Sequence, residues 1–533
     1  MTVLTIFLFL FLFLLIFLEK NLPNSHPPAA FLGIVLLSAC TLGPNYKGPA
    51  AADSAAPDRY KNAGADGRWK RAEPSDFKAG GKWWTVFHDH ALDGYVETAL
   101  ARNQDLRVAA GRINEAHAQA RIAAADFYPQ VTMNPSAERQ RTTNTGPIQR
   151  AQLLGSNPFG GMTAAPGAAG SGAASSSAAQ TPLVLATQPL TTTFDLFRAP
   201  LTANWEIDLF GRIRRETEAA RATAQAVEAD YQNMALSVSA NAAVNYFALR
   251  ALDTEADVLD RTIATRREAL RIAEERLQAG LTSELDVARA RADLASNEAS
   301  LYALRRTRGQ TEDALATLLG EPASDLRAPA RPLASSDSPP RIPAGLPSEL
   351  LERRPDVASA ERQLAAANAR IGEAKAAFFP RLTLSGAAGF ESADIVQLFN
   401  WESRVWQIGA SAVQPVFEGG RNLANLQASR ARNEEAIGTY RAQLLKAFQE
   451  VEDALNDLRS LANQAEAQAR SVAAARRALE LSEQQYAHGS VAYLDVLDAQ
   501  RTALANERVA AQLLGQRLQA TVQLIKALGG AWK

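Results

Sequence analysis

Between Phe417 and Lys533 apolar positions recur every seven residues: Leu444, Val451, Leu458, Ala465, Val472, Leu479 and Tyr486, with Phe448, Leu455 and Ala462 as a second row. This spacing predicts a coiled-coil seam on one long helix, and a strict seven-residue repeat winds such a helix into a left-handed supercoil. Gly489 breaks the helix, and the run from Ser490 to Arg501 opens a returning one. An earlier stretch repeats the design. Leu249, Ala256, Ile263, Leu270 and Leu277 hold the seam, Gly280 breaks it, and Leu281-Thr282-Ser283-Glu284-Leu285-Asp286-Val287 follows. Each position lies 209 residues before its counterpart: Leu277 and Tyr486, Gly280 and Gly489, Asp286 and Asp495. The chain is therefore expected to carry an internal repeat of long helical hairpins.

Ahead of each hairpin the period switches from helical to two. Residues 130–139 alternate, with Val131, Met133, Pro135 and Ala137 on one face. Residues 195–209 do so more clearly, with Phe197, Ala199, Leu201, Ala203, Trp205, Ile207 and Leu209 opposite Arg198, Thr202, Asn204, Glu206 and Asp208. The second repeat offers 381–390 and 403–417. These four runs predict strands with one apolar and one polar face. A helix is expected before each pair, from Ala91 to Asp126 and again up to Phe379-Pro380.

The expected organisation is a leader at 1–39 and an N-terminal segment at 40–90. A first repeat spans 91–320 with its hairpin at 212–319, a Pro-rich connector spans 321–345, and a second repeat spans 346–533 with its hairpin at 421–528. At 1.5 Å per residue the 212–278 helix would be about 100 Å long, matching two helices of about 54 and 57 Å laid end to end. Residues 142–192 are rich in Gly, Ala, Ser, Pro and Thr and read as a long exposed loop.

Composition narrows the chemistry. A net charge of −1 gives no basic surface for nucleic acid. One cysteine cannot form an internal disulfide. His88 and His90 lack a third nearby ligand, so no metal site is expected, nor any cofactor. There is no Ser/His/Asp arrangement and no phosphate loop, which argues against an enzyme. Two apolar runs, Val3 to Leu18 and Ala29 to Ala39, precede Leu37-Ser38-Ala39-Cys40. Small residues before a lone Cys look like a bacterial lipoprotein signal, with cleavage before Cys40 and acylation of Cys40, although no basic residue precedes Lys20. Thr41 follows the Cys; in such lipoproteins an Asp there would favour the inner membrane, so its absence favours the outer one. Four strands cannot close a barrel alone, since membrane barrels begin at about eight. The strands therefore want partner copies, whose number the arithmetic leaves open.

From Cys40 to its end the chain resembles a TolC-type outer-membrane efflux factor, and within that class the NodT-like lipoprotein branch serving resistance-nodulation-division pumps. The carriers are Cys40 with Gly43-Pro44-Asn45-Tyr46, Trp83-Trp84, Leu346 to Pro380, and the two Gly turns leading to Leu285-Asp286-Val287 and Leu494-Asp495-Val496-Leu497-Asp498. The resemblance implies a mainly α fold with a β-barrel part: a homotrimer with a twelve-strand barrel in the outer-membrane lipid and a twelve-helix periplasmic tunnel. It implies docking to a periplasmic adaptor protein and, through it, to an inner-membrane resistance-nodulation-division pump. The function it implies is a passive duct exporting small molecules. The same duct serving type I protein secretion, and a non-channel coiled-coil lipoprotein, are the alternatives.

Site expectations follow from that resemblance. Asp495 and Asp498, three apart on one helix face, would ring the periplasmic gate in a trimer. Tyr486 matches a position that helps lock the closed tip, with Asp286 as its partner. The family's basic residue five positions later is Val491 here, so that lock would be incomplete. The turns Gly280, Leu281, Thr282, Ser283 and Gly489, Ser490, Val491, Ala492 are expected to contact the adaptor.

Overall fold

A computed structural model describes residues 41–48, 61, 81–141, 193–334, 339–340, 342 and 353–530. The leader, Cys40, the loop at 142–192 and most of the connector after Ala334 lie outside them. The chain divides into two units. Of the described residues, one comprises those within 39–124, 210–378 and 417–533, the other those within 125–209 and 379–416.

In the helical unit a 3-10 turn at Trp83–Phe87 precedes α1 (His90–Arg102) and α2 (Gln104–Ala125). The first hairpin is α3 (Arg212–Gln278) and α4 (Glu284–Leu318). Then come α5 (Pro355–Ala376) and the second hairpin, α6 (Arg421–Ala487) and α7 (Tyr493–Ala527). The repeat is exact in length. α3 and α6 have 67 residues each, and α4 and α7 have 35 each. All four boundaries are offset by the same 209 residues, as Arg212 to Arg421 and Glu284 to Tyr493 show.

The seam predicted for α6 is buried at Leu444, Phe448 and Val451, while Leu455 and Leu458 pack against the same cluster. Ala462 is exposed in the single chain. On α3, Leu249 belongs to the main core with Tyr246, Phe247, Leu315, Val522 and Ile525. Leu259 and Ile263 form a separate cluster with Leu301 and Leu304 of α4. Alanine replaces bulk where α3 meets α5: Ala222 packs with Ala365 and Ala366, which lets two backbones approach closely.

One expectation about this unit needs correcting. The helix read from Ala91 to Asp126 is two helices, broken at Asn103. The Asn103 side chain accepts from the Leu106 N–H at 3.1 Å and donates to the Leu318 carbonyl at 3.0 Å. It thus caps α2 while closing the open carbonyl end of α4. The long α3 runs beside the shorter helices of its own repeat as expected, with Ala224 on Ala116 and Ala120 of α2 and Leu259 and Ile263 on Leu301 and Leu304 of α4; it packs extensively on α5, a helix of the second repeat, as well. The two repeats are interleaved.

The sheet unit is antiparallel throughout, with β1 (Gln130–Met133) and β2 (Ser136–Arg141) end to end along one edge of β3 (Thr193–Ile207), then β4 (Arg381–Ser392) and β5 (Arg404–Val413). The run expected as one strand at 130–139 is two, because Pro135 has no N–H to donate. The register passes unbroken from Met133↔Leu201 to Ser136↔Arg198. β5 is shorter than the expected 403–417 because Pro415 ends the ladder. Directly opposed residues share a face. Val131, Ala203, Gly386 and Ile408 therefore lie on one side, with Met133, Leu201, Ala388 and Trp406 beside them. Thr132, Thr202, Ala387 and Gln407 lie on the other. One face is apolar and the other largely polar. Among the described residues the outer edges of β1, β2 and β5 are unpaired.

Candidate functional site

The two hairpin corners have the same backbone. Gly280 has φ +71° and Gly489 φ +72°, the left-handed region that glycine adopts without penalty. At the first corner the Gly280 N–H donates to the Leu277 carbonyl at 2.9 Å, and the Leu281 N–H to Arg276 at 2.8 Å. At the second, Gly489 donates to Tyr486 at 3.0 Å and Ser490 to Gln485 at 2.9 Å. This pairing is the Schellman closure of a helix end. Leu281, Leu285 and Leu494 are exposed around the corners.

The returning helices begin differently. At α4 the Ser283 hydroxyl caps the helix, and the Asp286 carboxylate accepts from Ser283 Oγ at 2.9 Å and Thr282 Oγ1 at 3.1 Å. At α7 the N-cap is Ala492, which has no acceptor, and Asp495 instead accepts from the Ala492 N–H at 3.0 Å. Asp495 is thus tied to the backbone, whereas the exposed Asp498 carboxylate has no partner among the described residues.

Tyr486 and Asp286 are not brought together as a hydrogen-bonded pair. The Tyr486 ring lies 5.6 Å from that of Tyr493, and Arg276 sits over it at 5.3 Å. Asp286 keeps Thr282, Ser283 and, at 3.7 Å, Arg289. The cation over the Tyr486 ring comes from the other hairpin: it is Arg276, in the last turn of α3.

Behind the corners lies a buried polar network that the sequence reading missed. Asp293 of α4 is 3% exposed. It accepts from Arg501 Nε of α7 at 2.8 Å and lies 3.0 Å from Arg266 Nε of α3, an ion pair rather than a well-aligned hydrogen bond. Arg266 also donates to Gln500, whose amide donates to Glu483 of α6 at 3.1 Å. All four hairpin helices meet in this chain of contacts. Burial pulls the Arg266 guanidinium below its ordinary value, against the attraction of Asp293. Burial likewise pushes the Tyr493 phenol up. The signal was present in the pattern: Arg266 falls seven residues after the fully buried Leu259, where the heptad calls for an apolar side chain.

The segment after Cys40 is clamped to the helices. Arg215, almost fully buried, donates to the Leu42 carbonyl at 3.1 Å and to Asn45 Oδ1 at 2.6 Å. Gly43 lies against the Gly372 backbone so closely that a Cβ there would stand 2.4 Å from the Gly372 Cα. Tyr46 donates to Glu361 at 3.3 Å. Among the described residues no group of three His, Cys, Asp or Glu side chains could hold a metal ion, and no helix is long and apolar enough to cross a membrane.

Comparison with known proteins agrees with this architecture. The chain is 34% identical over 501 residues to the pyoverdine export outer membrane protein OpmQ of Pseudomonas aeruginosa, covering 93% of this chain and 96% of that protein. It is 30% identical over 516 residues to the cation efflux system protein CusC of Escherichia coli O6:H1, covering 94% and 98%. The solved structure of the outer-membrane channel OprN superposes with a TM-score of 0.75 at 30% identity, covering 92% of this chain and all of that one. Residues 95–321 and 346–530 match the family described as outer membrane efflux protein, and with both repeats matched, the chain belongs to that family.

Proposed function

We propose that this chain is the outer-membrane channel of a tripartite efflux pump, a passive trimeric duct for small molecules. The observation that carries the reading is the sheet: apolar on one face, largely polar on the other, and open at both edges. Hydrocarbon tolerates no unpaired backbone groups. The free edge of β5 therefore wants the β1–β2 edge of a second copy, and three copies close a barrel of ordinary size. Its polar face lines water and its apolar face meets lipid. Cys40, just ahead of the Arg215 clamp, carries the lipid anchor to the outer membrane of a Gram-negative cell.

The corners at Gly280–Ser283 and Gly489–Ala492 dock a periplasmic adaptor, with Leu281, Leu285 and Leu494 as its apolar footing. Asp495 and Asp498 ring the periplasmic entrance, and the adaptor couples the duct to a resistance-nodulation-division pump in the inner membrane. The proteins it resembles are named for pyoverdine and for cations, so cargo choice belongs to the pump rather than to this fold. The test is a deletion strain challenged with drugs, dyes, bile salts, solvents and metal ions, with single-channel recording of the purified protein. Restored resistance on complementation and a conducting trimer are expected. A protein that forms no channel would overturn the reading.

A further inference from the structure

At the end of the sheet away from residues 130, 207, 381 and 413, the apolar face ends in an aromatic cluster around one cation. Arg404 opens β5 opposite Phe390, and Trp406 follows on the same face opposite Ala388. The Phe390 ring meets Phe399 edge-on at 5.6 Å. Arg404 lies over the Trp401 ring at 3.9 Å and donates to the Trp401 carbonyl at 3.2 Å. Trp401 and Trp406 are 71% and 75% exposed. The nearby carboxylates are otherwise placed: Glu391 lies on the opposite face, held by Arg198 at 2.9 Å, and Asp394 accepts from the Val396 N–H. Glu402 is exposed and, among the described residues, pairs with no cation. Arg404 itself forms no ion pair among the described residues and has engaged one of about five N–H donors.

We propose that this cluster binds an outer-leaflet membrane lipid through a phosphate group. The inference rests on reading the sheet as the outer-membrane part. An unneutralised guanidinium at the rim of an apolar face is complementary to a phosphate, which its planar fork can hold with two parallel bonds. Stacking on Trp401 fixes the fork in place. Trp401, Trp406 and Phe399 form the aromatic belt that seats where acyl chains meet headgroups. A free anion would need Arg404 alone; the exposed rings around it call for a ligand that is also apolar.

The test uses the full-length trimer in detergent, titrated with diphosphoryl lipid A and followed by native mass spectrometry. Arg404→Gln is expected to weaken binding about tenfold, the scale of a lost charge-assisted hydrogen bond, and Arg404→Lys to retain part of it. The dephosphorylated lipid should bind the wild type no better than the phosphorylated one binds R404Q. Arg139→Gln, on a cation already 3.5 Å from Asp195, should change nothing. Equal binding by wild type and R404Q, or by both lipids, would overturn the proposal, and displacement by inorganic phosphate alone would reduce the site to one for free anions. Single-channel conductance of the same samples, expected equal in wild type and R404Q, reports on the duct separately.

Discussion

Arg501 of the second repeat donates to Asp293 of the first, Nε to Oδ1 at 2.8 Å, with the carboxylate buried between two hairpins. A buried charge that loses its partners costs about 3–5 kcal/mol, whereas replacing the whole set by apolar side chains is often neutral. Asp293→Ala strands the buried Arg266 guanidinium, while the half-exposed Arg501 can turn to water, and should lower thermal stability by that order while raising conductance. The triple variant Arg266→Leu/Asp293→Leu/Arg501→Leu should recover stability. Calorimetry and bilayer recording check both; a single variant as stable as wild type would show that Asp293 does not hold the hairpins.

Asp495 caps a helix, so its truncation would confound a test of the entrance. Asn keeps the acceptor oxygen for the Ala492 N–H and removes only the charge. Asp495→Asn/Asp498→Asn should therefore leave stability within about 0.5 kcal/mol while lowering cation selectivity and raising conductance. Unchanged conductance and selectivity would sink the ring of carboxylates.

At Gly280 and Gly489 an added Cβ meets nothing within 4 Å, so substitution acts through the positive φ alone. Gly280→Ala and Gly489→Ala should each cost about 1–2 kcal/mol locally. Bulky residues at both should reduce crosslinking to the adaptor while the trimer persists on gels. Adaptor crosslinking at wild-type levels would remove the corners from the docking surface.

Acid should loosen the helical unit at α5. Burial alone would raise the Asp356 pKa, but Arg354, the Val357 N–H and Gln443 together hold it below the ordinary 3.8. Its contribution is complete above that value and vanishes as pH falls through the lower, folded-state pKa. A titration by circular dichroism should show an acid transition below about pH 4, and Asp356→Asn should flatten it.

The hairpins and the strand faces were legible because each rests on a short period: the seven-residue seam through Leu444 and Val451, and the alternation through Phe197 and Trp205. What escaped depended on distant neighbours. Asn103 breaks a helix because the end of α4 lies beside it, and α3 packs on α5 across repeats, which no local period records. Of the proposed site residues, Asp495 and Asp498 were pointed to by the family resemblance, and their spacing only placed them on one helix face. Arg276 over Tyr486 joins residues 210 apart, and only the fold brings them together.

The constant offset between the hairpins acts as a shared ruler. Each helix on one side has a counterpart of identical length on the other, and contacts such as Arg501 to Asp293 tie the two scales at fixed marks. Drift by a single residue in one arm would rotate every later side chain by about 100° and slide it past its mark. Natural variation in this chain should therefore change hairpin length only in matched pairs, one indel answering another 209 positions away, while loops outside the ruled portion vary freely.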